Sequence, residues 1–150
     1  MKKEKGLYQV SLKVIIKNTK GEILGLRAVD KGSMKGYFDL PGGRIDADEF
    51  YAPFEEIIKR EIREEVGDVK YTLNNSPVAL GRHLIPSQIS SSGKDINVIY
   101  IFFEAKYSKG EIVINDEHLG FKWIDISKIK LEDYFDSGIL EGIKMYLAKK

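Results

Sequence analysis

The chain is 150 residues long, has 43% hydrophobic residues and carries 24 basic against 23 acidic side chains, a composition that suits one folded domain over residues 1–150. The formal net charge of +1 gives no reason to expect nucleic acid or an anionic membrane surface as a partner. The chain has no cysteine and two histidines, which excludes disulfides, thiolate zinc sites, cysteine nucleophiles and metal sites built from several histidines.

The first third of the sequence predicts two strands followed by a glycine-rich turn. Residues 8–16 are rich in β-branched side chains and indicate a strand, and residues 22–28 indicate its returning partner. Leu40 precedes a proline, which biases it towards an extended backbone. Gly42 and Gly43 follow, and glycine permits a positive φ or the close approach of the backbone to a ligand.

The first helix is predicted to begin near Pro53 and to end before Gly67, because proline suits a first turn and glycine suits the position after a last turn. At about 100° per residue, the apolar side chains fall on one arc of this helix: Phe54, Ile57, Ile58, Ile62 and Val66. Glu61 and Glu65 fall inside the arc and Glu64 falls at its edge. Glu61 and Glu65 are therefore predicted to point towards the body of the protein.

These three glutamates place three like charges within about one helical turn. Such charges repel one another, and buried carboxylates are costly unless they are paired or bound to metal. A divalent cation such as Mg²⁺, which takes carboxylate oxygens, would offset both costs. Two other interpretations remain open at this point: an ordinary solvated face, or neutralisation by the basic side chains of Arg44 and Arg60.

The second half of the chain returns to strands and closes with a helix. Residues 69–84 contain strand material interrupted by a turn, and residues 97–107 indicate a strand that is apolar on both faces and therefore central in a sheet. Short strands are predicted at 111–114 and 120–124, and an apolar stripe over 137–147 predicts the second helix. The order of these elements predicts an α+β fold with a mixed sheet between helices.

Two features bear on location. The first six residues are charged and lack the apolar core of a signal peptide, and the longest apolar run, Val98–Phe103, is far too short to cross a bilayer. We therefore expect a cytoplasmic protein with no membrane partner. The sequence leaves a monomer or a homodimer equally open.

The residues from Gly43 to Gly67 resemble the Nudix box, written Gly-x5-Glu-x7-Arg-Glu-U-x-Glu-Glu-x-Gly-U with U aliphatic. The matching positions are Gly43, Glu49, Arg60, Glu61, Ile62, Glu64, Glu65 and Gly67, and Leu40-Pro-Gly-Gly comes before them as is usual in this family. The resemblance implies the Nudix-type α/β/α sandwich with a mixed central sheet. It also implies hydrolysis of the pyrophosphate bond in a nucleoside diphosphate linked to another group.

The chain departs from the box between its two halves. Ten residues separate Glu49 from Arg60 where the pattern has seven, so residues 50–52 resemble a three-residue insertion before the helix. In the family the box glutamate braces the box arginine, and the insertion leaves two candidates for that partner here. One is Glu49, and the other is Glu56, which lies four residues before Arg60 on the helix.

The resemblance further implies the composition of the site. Mg²⁺ or Mn²⁺ would be held by Glu61, Glu64 and Glu65, with the carbonyl of Gly42. Glu117, six residues before Trp123, is expected as a further metal ligand, and Glu104 at the end of the central strand is its rival. Arg60 is expected to support catalysis, and the expected substrate-binding positions are Arg27, Gly43 and Arg44.

The substrate is expected to be a nucleotide, in the first instance a (deoxy)nucleoside triphosphate or an oxidised nucleotide. Nucleotide sugars, ADP-ribose, dinucleoside polyphosphates and capped RNA ends remain alternatives, as does a module that binds a nucleotide without cleaving it. Both histidines, His83 and His118, are expected to be solvated or structural.

Overall fold

The computed structural model describes residues 1–150 and contains one eight-stranded mixed sheet between two helices. The strands are β1 (Gln9–Lys17), β2 (Ile23–Ala28), β3 (Phe38–Asp39), β4 (Gly42–Arg44), β5 (Lys70–Leu73), β6 (Ala79–Ile85), β7 (Ile96–Lys109) and β8 (His118–Ile124). The helices are α1 (Phe54–Val66) and α2 (Ser137–Ala148), with short 3₁₀ helices at Ala47–Glu49 and Leu131–Asp133. This arrangement confirms the predicted α+β fold of the Nudix type.

The centre of the sheet is a parallel pair, β1 and β7, which run side by side from Gln9 opposite Val98 to Lys17 opposite Lys106. The other pairings are antiparallel: β2 and β4 with β1, β3 and β8 with β2, and β5 and β6 with β7. Because β4 pairs with the first half of β1, the glycine-rich turn lies directly against the central strand. This pairing brings the turn to the middle of the molecule.

Alternation along β1 divides the core into two layers. Leu12, Val14 and Ile16 belong to the cluster that α1 covers, whereas Ile15 belongs to the cluster that α2 covers. The side chains of α1 that are buried in its cluster are Ile57, Ile58, Ile62 and Val66. Neither helix combines the length and the apolar character needed to cross a membrane.

Two local expectations are wrong. Residues 111–114 form no strand; instead, the Val113 N–H donates to the carbonyl of Val66 at 2.8 Å, so this segment closes the end of α1. Phe54 is 43% exposed although it was placed in the apolar arc. It is the first residue of α1, where the helix projects beyond the sheet, and its ring makes an edge contact with Phe103. Gly67 does end the helix, with a φ of 99°.

Candidate active site

The glycine-rich turn lies flat on β1. Gly42 is opposite Lys13 and Gly43 is opposite Leu12 in the antiparallel ladder. Gly42 has a φ of 134°, in the region that disfavours other residues, and a side chain there would collide with the backbone of Leu12. The sequence therefore uses glycine because the turn must approach the strand closely.

Glu65 reaches from α1 to this turn. Its Oε1 accepts the backbone N–H of Gly42 at 2.7 Å, and only 5% of its side chain is exposed. Burial raises the pKa of Glu65 to about 8, while the Lys13 ammonium and the Gly42 hydrogen bond act in the opposite direction. The helical pattern thus predicted correctly that Glu65 points inward.

Glu61 occupies the space that the missing side chain of Gly43 leaves open. A Cβ atom on Gly43 would lie 2.7 Å from the Glu61 carboxylate, so only glycine admits this carboxylate beside the turn. Burial raises the pKa of Glu61, and the nearby Arg60 opposes that shift. Glu64 has 52% of its side chain exposed, in agreement with its place at the edge of the apolar arc.

Arg60 connects the helix acids with Glu49. Its Nη2 lies 2.9 Å from one Glu49 carboxylate oxygen and 3.0 Å from the other, and its Nη1 lies 3.2 Å from Glu61 and 3.4 Å from Glu64. Glu56 is exposed and makes no ion pair. Of the two candidate partners, the structure therefore selects Glu49.

A capping box holds Glu49 in place. The Asp46 N–H donates to the Glu49 carboxylate at 2.9 Å, and the Glu49 N–H donates back to the Asp46 carbonyl at 3.0 Å. The hydrogen bond from Asp46 is the largest cause of the lowered pKa of Glu49, and Arg60 adds to it. The 3₁₀ turn spans Ala47–Glu49, Phe50 and Tyr51 after it are exposed, and Glu49 contacts Arg60 although ten residues separate the two.

A buried ion pair beneath the turn was not predicted. Lys13 is 5% exposed; its Nζ donates to Asp39 at 3.1 Å and to the carbonyl of Leu40 at 3.3 Å. Burial is the largest single influence and acts to lower the pKa of Lys13, but the charges of Asp39, Tyr100 and Glu65 and the hydrogen bond to Asp39 together outweigh it, so the net pKa is raised. The one sequence signal was a lysine inside an apolar strand, and it does not identify a partner 26 residues away.

The first residue of β8, His118, lies beside Glu65, whereas Glu117 just before it does not enter the interior. Glu117 is exposed, and its backbone N–H donates to Asn115 at 3.2 Å. Only 7% of the His118 side chain is exposed, and its Nδ1 lies 3.8 Å from Glu65 Oε2. His118 is therefore buried and not solvated, and its position depends on where β8 begins to pair with β2.

The other expected site residues lie apart from these contacts. The carboxylate of Glu104 accepts from the hydroxyl of Tyr146 and lies 3.4 Å from Lys150 and 4.0 Å from Lys17, which leaves it no free role as a metal ligand. Arg27 is exposed with its guanidinium 6.0 Å from the ring centre of Phe38.

The other histidine, His83, is structural, because its two ring nitrogens lie 2.8 Å from Ser137 and Ser33.

Arg44 faces a cleft beside the acids. The cleft has a volume of about 800 Å³, and its wall includes Tyr8, Arg44, Glu49, Phe50 and Phe54. Arg44 makes no ion pair with the helix acids; its Nη1 donates to the side chain of Gln9 at 2.8 Å. Of the two arginines that could neutralise the helix acids, only Arg60 does so.

The donor set suits a hard divalent cation. No three carboxylate or imidazole side chains converge into a ready-made cage. Glu61 fills the space above Gly43 and Glu64 is open to solvent, so their oxygens are available from one side of α1. Mg²⁺ and similar ions are commonly held by one or two carboxylates, with substrate phosphates and water completing the shell. The residues present fit that mode, with the helix glutamates as the protein's share of the ligands.

Comparisons with known proteins point in one direction. A family model described as the NUDIX domain matches residues 7–142. The nucleoside triphosphatase NudI of Escherichia fergusonii is 29% identical over 111 residues, which cover 73% of this chain and 77% of that protein. The MutT protein from Methanosarcina mazei Go1 has a TM-score of 0.71 at 23% identity, over 95% of this chain and 94% of that chain. An ADP-ribose pyrophosphatase from Streptococcus suis 89-1591 has a TM-score of 0.63 at 18% identity, over 95% and 92%. The two structural likenesses show a shared fold.

Proposed function

Because this chain belongs to the NUDIX family, we propose that its substrate is a (deoxy)nucleoside triphosphate and that Glu61, Glu64 and Glu65 hold the divalent cation for the reaction. The chain is a pyrophosphohydrolase that acts on a nucleoside diphosphate linked to another group. Mg²⁺ and Mn²⁺ are the cations we propose. The choice of a triphosphate, rather than another derivative of a nucleoside diphosphate, is the more specific part of the proposal.

One observation carries the assignment of the site. Two acids of α1 meet the glycine-rich turn at successive glycines, Glu65 at the N–H of Gly42 and Glu61 in the space left by Gly43. This contact fixes two carboxylates that would otherwise repel each other, and it leaves Glu64 facing solvent. A purely structural helix face would gain nothing from carboxylates buried at this cost.

The chemistry of the residues follows from their positions. When bound, the cation neutralises phosphate charge and lowers the pKa of a bound water. A carboxylate of α1, Glu61 or Glu65, accepts the proton of the attacking water as general base. Arg60, paired with Glu49, holds the helix acids in place, and Arg44 is free to meet the phosphates from the cleft.

Two facts support a triphosphate. The relative named as a nucleoside triphosphatase covers most of the chain, and the cleft beside Arg44 is large enough for a nucleoside. The alternative is a larger leaving group, such as the ribose phosphate of ADP-ribose, a sugar or a second nucleoside. An ADP-ribose pyrophosphatase shares the fold at low identity, which is the observation behind this alternative.

A nucleotide panel tests the proposal. The purified chain is incubated with nucleoside triphosphates, nucleotide sugars, ADP-ribose and dinucleoside polyphosphates in Mg²⁺ or Mn²⁺, and phosphate or pyrophosphate release is measured. We expect the highest kcat/KM for a triphosphate, with complete loss in chelator. Glu64→Gln and Glu65→Gln should each reduce kcat by about 10² or more, whereas Glu56→Gln, on the exposed side of the same helix, should leave it unchanged. Cleavage of sugar-linked substrates alone would overturn the choice of substrate, and chelator-insensitive turnover would overturn the metal site.

A further inference from the structure

The imidazole of His118 is the one unsatisfied group in the interior. Its Nδ1 is the only buried side-chain nitrogen or oxygen that has no hydrogen-bond partner. Buried polar atoms are almost always paired, and an unpaired one costs about 1–3 kcal/mol. An exception at the wall of a catalytic site calls for a partner that the protein chain does not supply.

The nearest group to that nitrogen is a proposed metal ligand. Glu65 Oε2 lies 3.8 Å away, too far for a hydrogen bond. The distance lies between those that two donors of one octahedral ion adopt, since ligands at about 2.1 Å from the ion are about 3.0 Å apart when adjacent and about 4.2 Å apart when opposite. The other oxygen of the same carboxylate is already engaged by the N–H of Gly42, so Oε2 is the oxygen left for the ion.

No neighbouring group competes for the nitrogen. Lys13 and Asp39, whose charges act on His118, are paired with each other at 3.0 Å. Glu117, the adjacent acid, is exposed to solvent and makes no contact with Glu65. His118, the first residue of β8, therefore meets Glu65 of α1, so the two candidate donors come from different elements of the fold.

We propose that Nδ1 of His118 is a ligand of the divalent cation, bound together with Glu65, and that it replaces Glu117 in that role. The inference rests on the proposed metal site and adds a nitrogen donor to it. Divalent first-row metals, of which Mn²⁺ binds most weakly, accept mixed nitrogen and oxygen sites, whereas Mg²⁺ prefers oxygen ligands alone. The site should consequently bind Mn²⁺ more tightly than Mg²⁺, and loss of His118 should reduce that preference.

Electron spin echo envelope modulation of the Mn²⁺-loaded protein tests the bond directly. A coordinated imidazole nitrogen modulates the Mn²⁺ echo, and the chain has only two histidines, so assignment is simple. We expect ¹⁴N modulation in the wild type, its replacement by ¹⁵N modulation when only histidine carries ¹⁵N, and its loss in His118→Gln. His83→Gln, which removes a ring held between two serines, and Glu117→Gln should both keep the signal.

Binding measurements separate this inference from the proposed function. By titration calorimetry without substrate, we expect His118→Gln to weaken Mn²⁺ by at least about tenfold and Mg²⁺ by less. Wild-type protein that binds Mn²⁺ with no histidine modulation would overturn the histidine ligand and leave the glutamate site standing. Protein that binds neither ion would overturn both. The wild-type spectrum decides the question even if the variant does not fold.

Discussion

Glu49 and Arg60 form a bidentate ion pair across the ten residues that separate them in the sequence. Both Glu49 oxygens lie within 3.0 Å of Arg60 Nη2, and Nε of the same guanidinium approaches at 3.3 Å. The same arginine contacts Glu61 and Glu64, so one cation holds the loop to the acidic face of α1. The position of the helix acids thus depends on a contact made outside the helix.

Replacement of Glu49 by Gln should lower activity far more than stability. The carboxylate is one of three that Arg60 contacts, and its loss frees the guanidinium to collapse onto Glu61 and Glu64. Changes to groups that orient metal ligands typically cost about 10–100-fold in activity or metal affinity. An ion pair this close to the surface contributes about 1 kcal/mol or less. Steady-state kinetics and urea unfolding measure the two effects.

Glu55→Gln is the matched control for that variant. It removes the same charge near the start of α1, from an exposed pair with Lys59 at 3.4 Å. Unchanged kcat in Glu55→Gln together with a reduced kcat in Glu49→Gln would support the role of the brace. Equal effects of the two substitutions would mean that net charge, and not the contact with Arg60, matters.

Removal of Lys13 alone, and of Lys13 together with the charge of Asp39, should affect the free energy of unfolding and the metal affinity differently. Lys13→Met leaves Asp39 buried and unpaired, and breaking a buried pair costs about 3–5 kcal/mol. Adding Asp39→Asn removes the orphaned charge and should recover much of that loss. Metal affinity should stay low in the double variant, because the Lys13 ammonium that favours ionised Glu65 is still absent. Thermal unfolding and calorimetric Mn²⁺ titration of the wild type and the two variants provide the comparison.

The residue pattern correctly predicted the features that depend on one helix or one turn alone. The 3.6-residue period of α1 placed Glu61 and Glu65 on the inner side and Glu64 at the edge, and the structure agrees. The glycines at 42 and 43 were expected to permit a close backbone approach, and they do so against β1 and Glu61. These features follow from the local geometry of a helix or a turn, which can be derived from the residue pattern.

Contacts between residues that are far apart in the sequence could not be predicted in this way. Lys13 meets Asp39 because β4 returns along β1 in one register, and His118 meets Glu65 because β8 starts to pair with β2 at that point. Periodicity gives the face of a strand but not the partner strand or its offset. The Glu49–Arg60 contact shows the same limit, since a count of loop residues reveals neither the 3₁₀ turn at Ala47–Glu49 nor the hydrogen bond from Asp46 that holds the Glu49 carboxylate.

In metal-free protein, the buried Glu65 should make stability fall as pH rises from about 4.5 to about 8. Its pKa is raised in the folded state, so the native protein holds a proton in this window that the unfolded chain has lost. Stability from this group is therefore complete below the unfolded value and is lost as pH passes through the folded value. One proton gives a slope of up to about 1.4 kcal/mol per pH unit.

The difference between wild type and Glu65→Gln isolates that slope. Both proteins are unfolded with urea in chelator at several pH values, and the free energies of unfolding are subtracted. We expect the difference to change across the window and to level off above pH 8. Parallel curves would contradict a raised pKa for Glu65.

Gly43→Ala should impair turnover without unfolding the protein. The new methyl group would lie 2.7 Å from the Glu61 carboxylate, which sits at the end of a flexible side chain and can move away. That movement displaces a proposed metal ligand, so kcat and Mn²⁺ affinity should fall by about tenfold or more. Gly120→Ala, where a methyl group meets nothing within 4 Å, is the control and should behave as wild type. Normal kinetics in Gly43→Ala would show that the position of Glu61 is not critical.

The extra loop residues should contribute to nucleoside recognition. Phe50 and Tyr51 are 79% and 94% exposed, a high cost for aromatic side chains unless a ligand covers them, and their rings meet edge to face at 5.0 Å. Phe50 forms part of the cleft that also holds Arg44, so a base stacked there would lie beside phosphates bound at the helix acids. Stacking of a base on an aromatic ring contributes about 1–3 kcal/mol. Phe50→Ser should consequently raise KM by about fivefold or more and change kcat little.

Leu80→Ser is the control for Phe50→Ser. Leu80 is 46% exposed on β6 and takes no part in the cleft, so Leu80→Ser removes a comparable exposed apolar group elsewhere. A rise of KM confined to Phe50→Ser would assign base contact to the loop. If kcat fell instead with KM constant, the loop would act through the Glu49 brace, because Phe50 directly follows Glu49 in the chain. Unchanged kinetics in both variants would place the nucleoside outside this cleft.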